Sequence, residues 1–444
     1  MLGFETVGNA TLTVFDDKPV LSTDPWIDGN PYFGSWTHPY KISQNNISNI
    51  INSKYIWLSH GHPDHIDSKS YKYFNNSTIL VPDHFGDRIF NYFDSNFKCI
   101  KIKSNVWFEV SKNVRIKSFA DWNQDAALVI EIQKKDCICN MNDGNLLGWK
   151  PTVKKLIKNY PNRFLLRLMN WGDADMINLY DQDNNFIAPE ASKKEPLGPS
   201  YEYHMNDMGC NFAIPFSTFH RYNRTDSEKM NKFITPIEKH DENFFNENKT
   251  ILQAHGIWDS DKEEYFPTSP EKTDTELASP EDFGDNYSDQ LDNHEKMLLE
   301  RYFQSFDHLK KCFGCIVFKV GGEEISIKLS SRDEVIYFEA PRHSLITSIK
   351  HEIFDDMLIG NFMKTKLINC DSLYPNFSPY VAKYGDNGLA KSELELKNYF
   401  KYYKLNSADY WRDLLSINTE NFLRSHITPE TMLYKGLRYI KNKL

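Results

Sequence analysis

A ten-residue segment with several potential metal ligands constrains the fold of this chain more than any other feature. Residues 58–67 read LSHGHPDHID, and the apolar run YIWL occupies 55–58. Such a run predicts a buried strand. A strand that ends at Leu58 places the next residues on a loop at the sheet edge, where their side chains converge, and Gly61 and Pro63 give this loop its backbone shape.

The spacing of the ligands in this loop predicts two metal ions rather than one. Four ligands within six residues would crowd around a single ion, so we assign His60 and His62 to one ion and Asp64 and His65 to the other. The alternative is a polar surface turn. The metal site is favoured over it, because histidines of metal sites typically occur in such clusters.

Short strands and helices alternate through the first part of the chain. Strands are predicted at 11–15, 19–22, 54–58, 78–81, 106–110, 113–119, 126–133 and 136–141. Helices are predicted near 43–53, 67–74, 84–92 and 149–160. This order indicates an α/β architecture with two sheets covered by helices.

The later part of the chain is predicted to be a smaller α+β domain. We expect a first domain at 1–258, an acidic linker or surface excursion at 259–298, and a C-terminal domain of unknown role at 299–444. Three strands at 314–320, 323–331 and 334–340 are predicted to form a meander. Aromatic-rich helices are predicted near 392–404 and 407–417. We find no chemistry in this part beyond packing.

Charge and cysteine usage exclude several classes of protein. The net charge of −9 argues against a nucleic-acid binder, which normally carries a basic face. The N-terminus has no secretory leader pattern, and no apolar stretch is long enough to span a membrane, so we expect a cytoplasmic protein. The seven cysteines are scattered and do not resemble a disulfide framework.

The motif HGHPDH at 60–65 resembles the H-x-H-x-D-H signature of the metallo-β-lactamase superfamily, whose fold is an αββα sandwich with metals at one sheet edge. Residues 1–225 resemble one branch in particular, the metallo-β-lactamase-like domain of the CMP-N-acetylneuraminate monooxygenases. The stretches that carry this likeness are DPWIDGNPYFGSW (24–36), YIWLSHGHPDHID (55–67), NMND (140–143) and IPFSTFH (214–220).

The resemblance implies three further ligands. Asp143 follows a predicted strand and fits the carboxylate that bridges the two ions. His220 fits the last ligand of the second ion, with His204 and His255 as rivals. Where hydrolases of the superfamily carry a histidine as third ligand of the first ion, FADWNQDAALVIE contains none, and Asp121 fits that place, with Asp125 as the alternative. A carboxylate there favours iron or manganese over zinc.

The resemblance therefore implies two metal ions, with iron favoured, and an oxygenase that hydroxylates a small molecule such as a nucleotide sugar. One departure weakens this reading: no cysteine is followed by histidine at the C-x-H or C-x-x-H spacing of a Rieske centre. Electrons would then come from an external donor. The alternative is a zinc-dependent hydrolase of an ester, lactone or phosphodiester, in which Asp64 orients the nucleophile.

Several residues near the predicted ligands are candidates for binding substrate. Arg221 and Arg224 could hold a phosphate or carboxylate, although a solvated surface role is equally consistent with the sequence. Aromatic residues predicted to border the site could stack on a base or sugar, although packing roles are favoured for them; they are Trp26, Trp36, Trp122 and Tyr222. A third hypothesis is a vestigial site in a protein that serves as a binding partner, and the number of plausible ligands argues against it.

Overall fold

A computed structural model describes residues 1–169, 177–217, 219–274, 276–416 and 419. Its strands are β1 (Leu2–Gly8), β2 (Thr11–Asp16), β3 (Lys18–Thr23), β4 (Trp36–Thr37), β5 (Tyr55–Trp57), β6 (Thr78–Pro82), β7 (Cys99–Ile102), β8 (Trp107–Glu109), β9 (Val114–Ala120), β10 (Ala126–Ile132), β11 (Asp136–Asn142), β12 (Asn162–Arg167), β13 (Leu179–Tyr180), β14 (Phe212–Pro215), β15 (Arg221–Tyr222), β16 (Thr250–Ile251), β17 (Gly256–Asp259), β18 (Glu264–Pro267), β19 (Cys315–Val320), β20 (Glu323–Lys328), β21 (Val335–Glu339) and β22 (Lys364–Ile368). Its α-helices are α1 (Gln44–Ile51), α2 (Pro63–Ile66), α3 (Arg88–Asp94), α4 (Lys150–Ile157), α5 (Gly198–Met208), α6 (Asn293–Gln304), α7 (Asp307–Cys312), α8 (Arg342–His351), α9 (Phe354–Ile359) and α10 (Glu393–Asn406).

Two sheets face each other in the N-terminal unit, which comprises residues 1–267. The first sheet has the order β18-β17-β1-β2-β3-β5-β6-β7, and the second has the order β16-β14-β12-β11-β10-β9-β8. Strand β10 is buried along its whole length. Successive side chains of a strand point to opposite faces, so Leu128 and Ile130 join the core between the sheets while Ala127 and Val129 join the outer core.

Helices cover both outer faces and complete four layers. The first sheet packs through Ile56 and Ile79 against residues of α1 and α3. The second sheet packs through Val129 and Leu165 against α4 and α5. The predicted αββα sandwich is therefore confirmed. The apolar cluster between the two sheets is the largest of this unit, because each sheet contributes one face to it.

The edges of the sandwich hold strands that the sequence patterns did not indicate. Strand β1 pairs with both β2 and β17. Strand β18 pairs with β17, so part of the acidic segment belongs to the first sheet. The proposed domain division at 258 and 298 stays a prediction.

The C-terminal unit, residues 293–416, contributes four strands to a five-stranded sheet with helices packed on it, and the fifth strand, β13, comes from the N-terminal part of the chain. The sheet order is β13-β22-β21-β19-β20, and β19 lies parallel to β21. The predicted meander is wrong, because β21 pairs with β19 and β22 rather than with β20. The core is rich in phenylalanine, with Phe303, Phe318, Phe338 and Phe354 in mutual contact.

The long aromatic helix of this unit is where the sequence predicts it. Helix α10 begins at a capping box, in which Ser392 Oγ accepts from the Glu395 amide and the Glu395 carboxylate accepts from the Ser392 amide. The chain is helical again over 410–416, and position 417 of the second predicted helix lies outside the described residues. No helix among the described residues is long and apolar enough to cross a membrane.

Candidate metal centre

The candidate site lies at the carboxyl ends of parallel strands from both sheets. Strand β5 runs parallel to β3 and β6, and the loop with the histidines leaves its end. Strand β11 runs parallel to β12, and Asp143 follows its last residue. The two sheets therefore deliver their polar loops to one edge of the sandwich. We call His60, His62, Asp64, His65 and Asp143 the ligand cluster.

The structure brings three members of the ligand cluster within metal-binding distance of each other. The ligand atoms of His60, His65 and Asp143 all lie within 4.8 Å of one another. Asp143 Oδ2 lies 3.7 Å from His60 Nε2 and 3.5 Å from His65 Nε2. This position between the two histidines is the one expected for a bridging carboxylate.

The other two members face the same point. His62 Nδ1 lies 2.9 Å from His60 Nε2, and Asp64 Oδ2 lies 3.3 Å from His65 Nε2. Helix α2 begins at Pro63, which fixes the backbone between His62 and Asp64, so the two side chains leave the chain on either side of one turn. The pairing of the four loop ligands with two ions stays a prediction.

Residues outside the motif hold the ligands in place. Tyr32 Oη donates to Asp64 Oδ1 at 2.5 Å, and Asn9 Nδ2 donates to Asp64 Oδ2 at 2.8 Å. Asp24 Oδ2 lies 3.4 Å from His65 Nδ1, which leaves Nε2 facing the cluster. A histidine whose outer nitrogen is held by a carboxylate has a fixed ring orientation and a more basic inner nitrogen. The sequence analysis missed Asp24, although its place directly after β3 was a signal.

Several buried polar atoms near the ligand cluster have no hydrogen-bond partner among the described residues. Within the described residues, His65 Nε2, Asp143 Oδ1 and Asp125 Oδ1 are buried and make no hydrogen bond. Buried polar atoms are nearly always paired in folded proteins. Because these atoms come from residues that face the cluster, the donor set fits metal ions of the kind that imidazole and carboxylate bind together.

The electrostatics of the ligand cluster agree with this fit. Burial, reinforced by His65 and His62, holds the pKa of His60 well below the usual range, so its ring is neutral as a ligand must be. Burial would lower the pKa of His65, but the carboxylates of Asp64 and Asp143 raise it well above the usual range.

Asp121 and Asp125, the two candidates for the third ligand of the first ion, differ in their contacts. Both oxygens of Asp121 accept backbone N–H bonds, from Asn123 at 2.8 Å and Leu147 at 3.2 Å. Burial and the neighbouring Asp125 raise the pKa of Asp121 to about 8. Asp125 instead lies against Gly144, next to the bridging position, with Oδ1 free of hydrogen bonds in the described structure.

His220 lies in an aromatic setting linked to the ligand cluster. Its ring stacks on Trp36, Trp36 contacts Tyr32 at 4.4 Å between ring centroids, and Tyr32 binds Asp64. The rivals have other partners: His204 Nδ1 lies 3.0 Å from an Arg167 guanidinium nitrogen, and His255 Nδ1 lies 3.1 Å from the Val7 carbonyl oxygen. Within the described residues, the group of ligand atoms within 4.8 Å of one another consists of His60, His65 and Asp143, so His220 as the last ligand stays a prediction.

Most of the residues predicted to bind substrate are buried. Arg224 forms ion pairs with Asp226 at 2.7 Å and Asp285 at 2.8 Å, and its guanidinium packs on the Phe362 ring. It is fully buried, so the predicted substrate contact is wrong and its role is to join segments of the chain. Arg221 is exposed.

The aromatic candidates also pack inside the protein. Trp36 is buried against His220, Trp26 stacks on His38, and Tyr222 is fully buried. Trp122 packs with Tyr399, Tyr403 and Tyr410 of the C-terminal unit. These four rings therefore pack inside the protein and do not offer an exposed face on which a substrate could stack.

The C-terminal unit reaches the ligand cluster, which the sequence analysis did not anticipate. His62 Nε2 lies 3.0 Å from Asp355 Oδ2, and Lys383 Nζ lies 3.7 Å from Asp125 Oδ1. A Cβ on Gly61 would lie 3.0 Å from Asn387 Oδ1, so only a glycine fits easily there. The loop of histidines is thus covered by residues 354–387. No local pattern in the sequence signals this.

The pKa values of Lys383 and Asp355 depend on charged groups of the candidate site. Burial would lower the pKa of Lys383, but several carboxylates, with Asp125 and Asp355 foremost, raise it. Burial would raise the pKa of Asp355, but the hydrogen bond and charge of His62 lower it. Both groups are therefore charged near neutral pH.

The αββα sandwich with an H-x-H-x-D-H loop at one edge is a metallo-β-lactamase fold. No protein-family model and no curated protein matches the chain. Similar solved structures include Igni18, a metallo hydrolase of Ignicoccus hospitalis (12% identity, TM-score 0.36, covering 58% of this chain and 97% of that one). A possible metal-dependent hydrolase of Veillonella parvula (11%, TM-score 0.38, 58% and 98%) and a CmlA β-hydroxylase mutant (10%, TM-score 0.37, 56% and 52%) are also similar.

These likenesses are too distant to carry an argument about residues or activity. The assignment of fold rests on the sandwich and the loop, and the assignment of a site rests on the ligand cluster. Together they indicate a candidate metal site at one edge of a metallo-β-lactamase fold.

Proposed function

We propose that the protein holds two metal ions, with iron favoured over manganese and zinc, and acts as an oxygenase that hydroxylates a small molecule. One observation carries the proposal: a buried carboxylate, Asp125, has an Oδ1 atom without a hydrogen bond in the described structure and interacts electrostatically with Asp143, His62 and His65, in the segment where hydrolases of this fold usually present a third histidine. An added carboxylate makes a site harder and more anionic, which suits iron and manganese better than zinc.

The proposed ligand sets keep the pairing of the loop ligands predicted from the sequence. His60, His62 and Asp125 would hold the first ion, and Asp64, His65 and His220 would hold the second, with Asp143 between them. Asp121 remains the alternative to Asp125. Iron bound in this way would supply redox chemistry with dioxygen, whereas zinc would supply Lewis-acid activation of water.

The protein's own residues orient the ligands. Tyr32 and Asn9 hold the Asp64 carboxylate from both oxygens, so it cannot rotate away when substrate enters. Although burial opposes it, the charge of His65 holds the pKa of Asp64 below its usual range. Trp36 stacks on the His220 ring, and Tyr222 contacts the same ring edge-on.

The substrate would be a small anionic molecule such as a nucleotide sugar. Lys383 is a cationic side chain beside Asp125, it is partly exposed, and it lies on a π-helix, Pro379–Asn387, a form frequent at functional sites. Metal ions bound to the carboxylates would neutralise their negative charge. The ammonium of Lys383 would then be available to pair with a phosphate or carboxylate of the substrate. An external electron donor would be required.

A hydrolase is the second candidate, and one observation favours it. The sequence holds no Rieske-type Cys–His pairs, so it contains no electron-transfer centre of the kind that the resembling monooxygenases use. In this case Asp64, fixed by Tyr32 and Asn9, would orient the attacking water toward an ester, lactone or phosphodiester.

Elemental analysis separates the two candidates. The protein is expressed without added metal, purified anaerobically, and its absorption spectrum is recorded before and after exposure to air. About two irons per chain with a new near-ultraviolet band supports the oxygenase, and about two zincs with no spectral change supports the hydrolase.

Two variants test the metal site itself. His62→Ala and Asp143→Ala should each lower the metal content while leaving the unfolding transition close to that of the wild type. Full metal retention in both variants would contradict the ligand assignment, whichever metal is present.

A further inference from the structure

The imidazole of His62 lies between the two units of the protein. Its Nδ1 faces His60 Nε2 at 2.9 Å, inside the ligand cluster, and its Nε2 faces Asp355 Oδ2 at 3.0 Å on the opposite side of the ring. Asp355 is 293 positions away along the chain. A single side chain of the C-terminal unit therefore contacts a candidate ligand on its outer nitrogen.

Helix α9 holds Asp355 rigidly. All six of its residues are buried. Phe354 packs against Phe303, Phe338 and Phe377 in the core of the C-terminal unit, and its backbone N–H donates to Asp386 Oδ2 at 3.1 Å. Because the position of this helix is set by its own core, the carboxylate of Asp355 has little freedom to follow a change in His62.

The direction of the hydrogen bond decides which nitrogen of His62 can bind a metal. A carboxylate accepts the proton of Nε2, so the neutral ring carries its lone pair on Nδ1, the atom that faces the cluster. The same contact fixes the ring plane and makes Nδ1 more basic. His65 receives the corresponding contact from Asp24, which belongs to the N-terminal unit.

We propose that Asp355 is a positioning residue for the first metal ion, so that the metal centre is completed by the C-terminal unit. It acts through His62 and does not ligate the metal. This inference rests on the proposed metal site and adds to it a function for residues 354–387, for which the sequence suggested none.

The test is a metal titration of protein stripped by chelator, with Fe²⁺ added anaerobically and Co²⁺ used in parallel for its visible spectrum. The wild type should bind about two equivalents. Asp355→Ala should weaken one of the two equivalents about 10- to 100-fold and leave the other unchanged. Asp355→Asn should lie between them, since an amide oxygen still accepts the Nε2 proton without a negative charge.

A matched control lies next in the chain. Asp356 is also buried on α9, and Asp356→Asn makes the same chemical change one position away from the contact with His62. This control should bind both equivalents with wild-type affinity. A general loosening of α9 would weaken the control and the test variants alike, whereas a positioning role separates them.

The outcomes distinguish failure of this inference from failure of the proposed function. A wild type that binds no metal would contradict the metal site as a whole. A wild type that binds two ions while Asp355→Ala binds both equally well would overturn the role of Asp355. Complete loss of one equivalent in Asp355→Asn, as in Asp355→Ala, would make Asp355 a direct ligand and overturn the positioning role. Asp355→Asn changes the shape of the side chain least, so it decides the question if Asp355→Ala does not fold.

Discussion

The indole of Trp36 lies flat on the imidazole of His220, with ring centroids 3.6 Å apart and ring planes 10° apart. Trp36 belongs to β4, which pairs with β15 immediately after His220. Backbone pairing and ring stacking therefore fix His220 from two directions.

Removing this stack should weaken the second metal ion. Trp36→Leu keeps an apolar side chain but loses the flat contact, so we expect about a tenfold loss of affinity at one of two equivalents in a metal titration. Trp26→Leu is the control, because Trp26 also stacks on a histidine, His38, that is not a candidate ligand. Equal metal affinity in both variants would argue against His220 as a ligand.

Asp121 and Asp125, which both lie in the turn before β10, should behave differently when they are substituted. Asp125→Asn should lose most of one metal equivalent, because its Oδ1 makes no hydrogen bond in the described structure. Asp121→Asn should keep both equivalents and lose about 1 kcal/mol of unfolding free energy, because its carboxylate accepts two backbone N–H bonds. Metal analysis and urea unfolding check both, and the reverse result would restore Asp121 as the ligand.

Lys383 should govern the affinity for anions. We expect Lys383→Met to weaken binding of cytidine monophosphate to the metal-loaded protein by about tenfold or more, since a charge-assisted contact with the phosphate is lost. Titration calorimetry measures this. Lys350→Met, at an exposed lysine on α8, should bind like the wild type. Indistinguishable affinities in the two variants would remove Lys383 from the substrate site.

Arg224 should matter for stability rather than for substrate. Arg224→Met leaves Asp285 as a buried carboxylate without its ion pair, and breaking such a pair costs about 3–5 kcal/mol. Arg221→Met, at an exposed side chain, should change the unfolding free energy by less than about 0.5 kcal/mol. Denaturant unfolding compares them, and a small cost for Arg224→Met would contradict the structural role.

Acid should destabilise the protein in part through His240. Burial lowers the pKa of His240 from 6.5 to about 4, and its Nδ1 lies 3.0 Å from the Tyr201 hydroxyl. The unfolded chain therefore binds a proton below about pH 6.5 that the folded protein does not take up until about pH 4. Stability is present above about pH 6.5 and is lost as the pH falls toward 4.

The size of this effect is measurable. Between about pH 7 and pH 5 this histidine should account for about 2 kcal/mol of lost unfolding free energy. His240→Gln should be less sensitive to acid over that range, whereas His351→Gln, at an exposed histidine, should keep the wild-type dependence. Parallel curves for all three proteins would contradict the assignment to His240.

The sequence by itself determined the features that depend on local order. The apolar run at 55–58 gave strand β5, and the residues after it supplied four members of the ligand cluster, because strand, loop and ligands are continuous in the chain. Asp143 was predictable from its place directly after β11. Alternating apolar residues also indicated most strands of the sandwich, since burial on a sheet imposes a period of two.

Only the tertiary structure decided which distant residues complete the site. Asp355 and Lys383 lie on short helical segments whose sequences look like ordinary packing, and they reach the ligand cluster because the C-terminal unit docks on the loop at Gly61. The preference for Asp125 over Asp121 depends on which carboxylate the turn ties to its own backbone. Such contacts join residues far apart in sequence, so a local pattern of apolar and polar residues does not predict them.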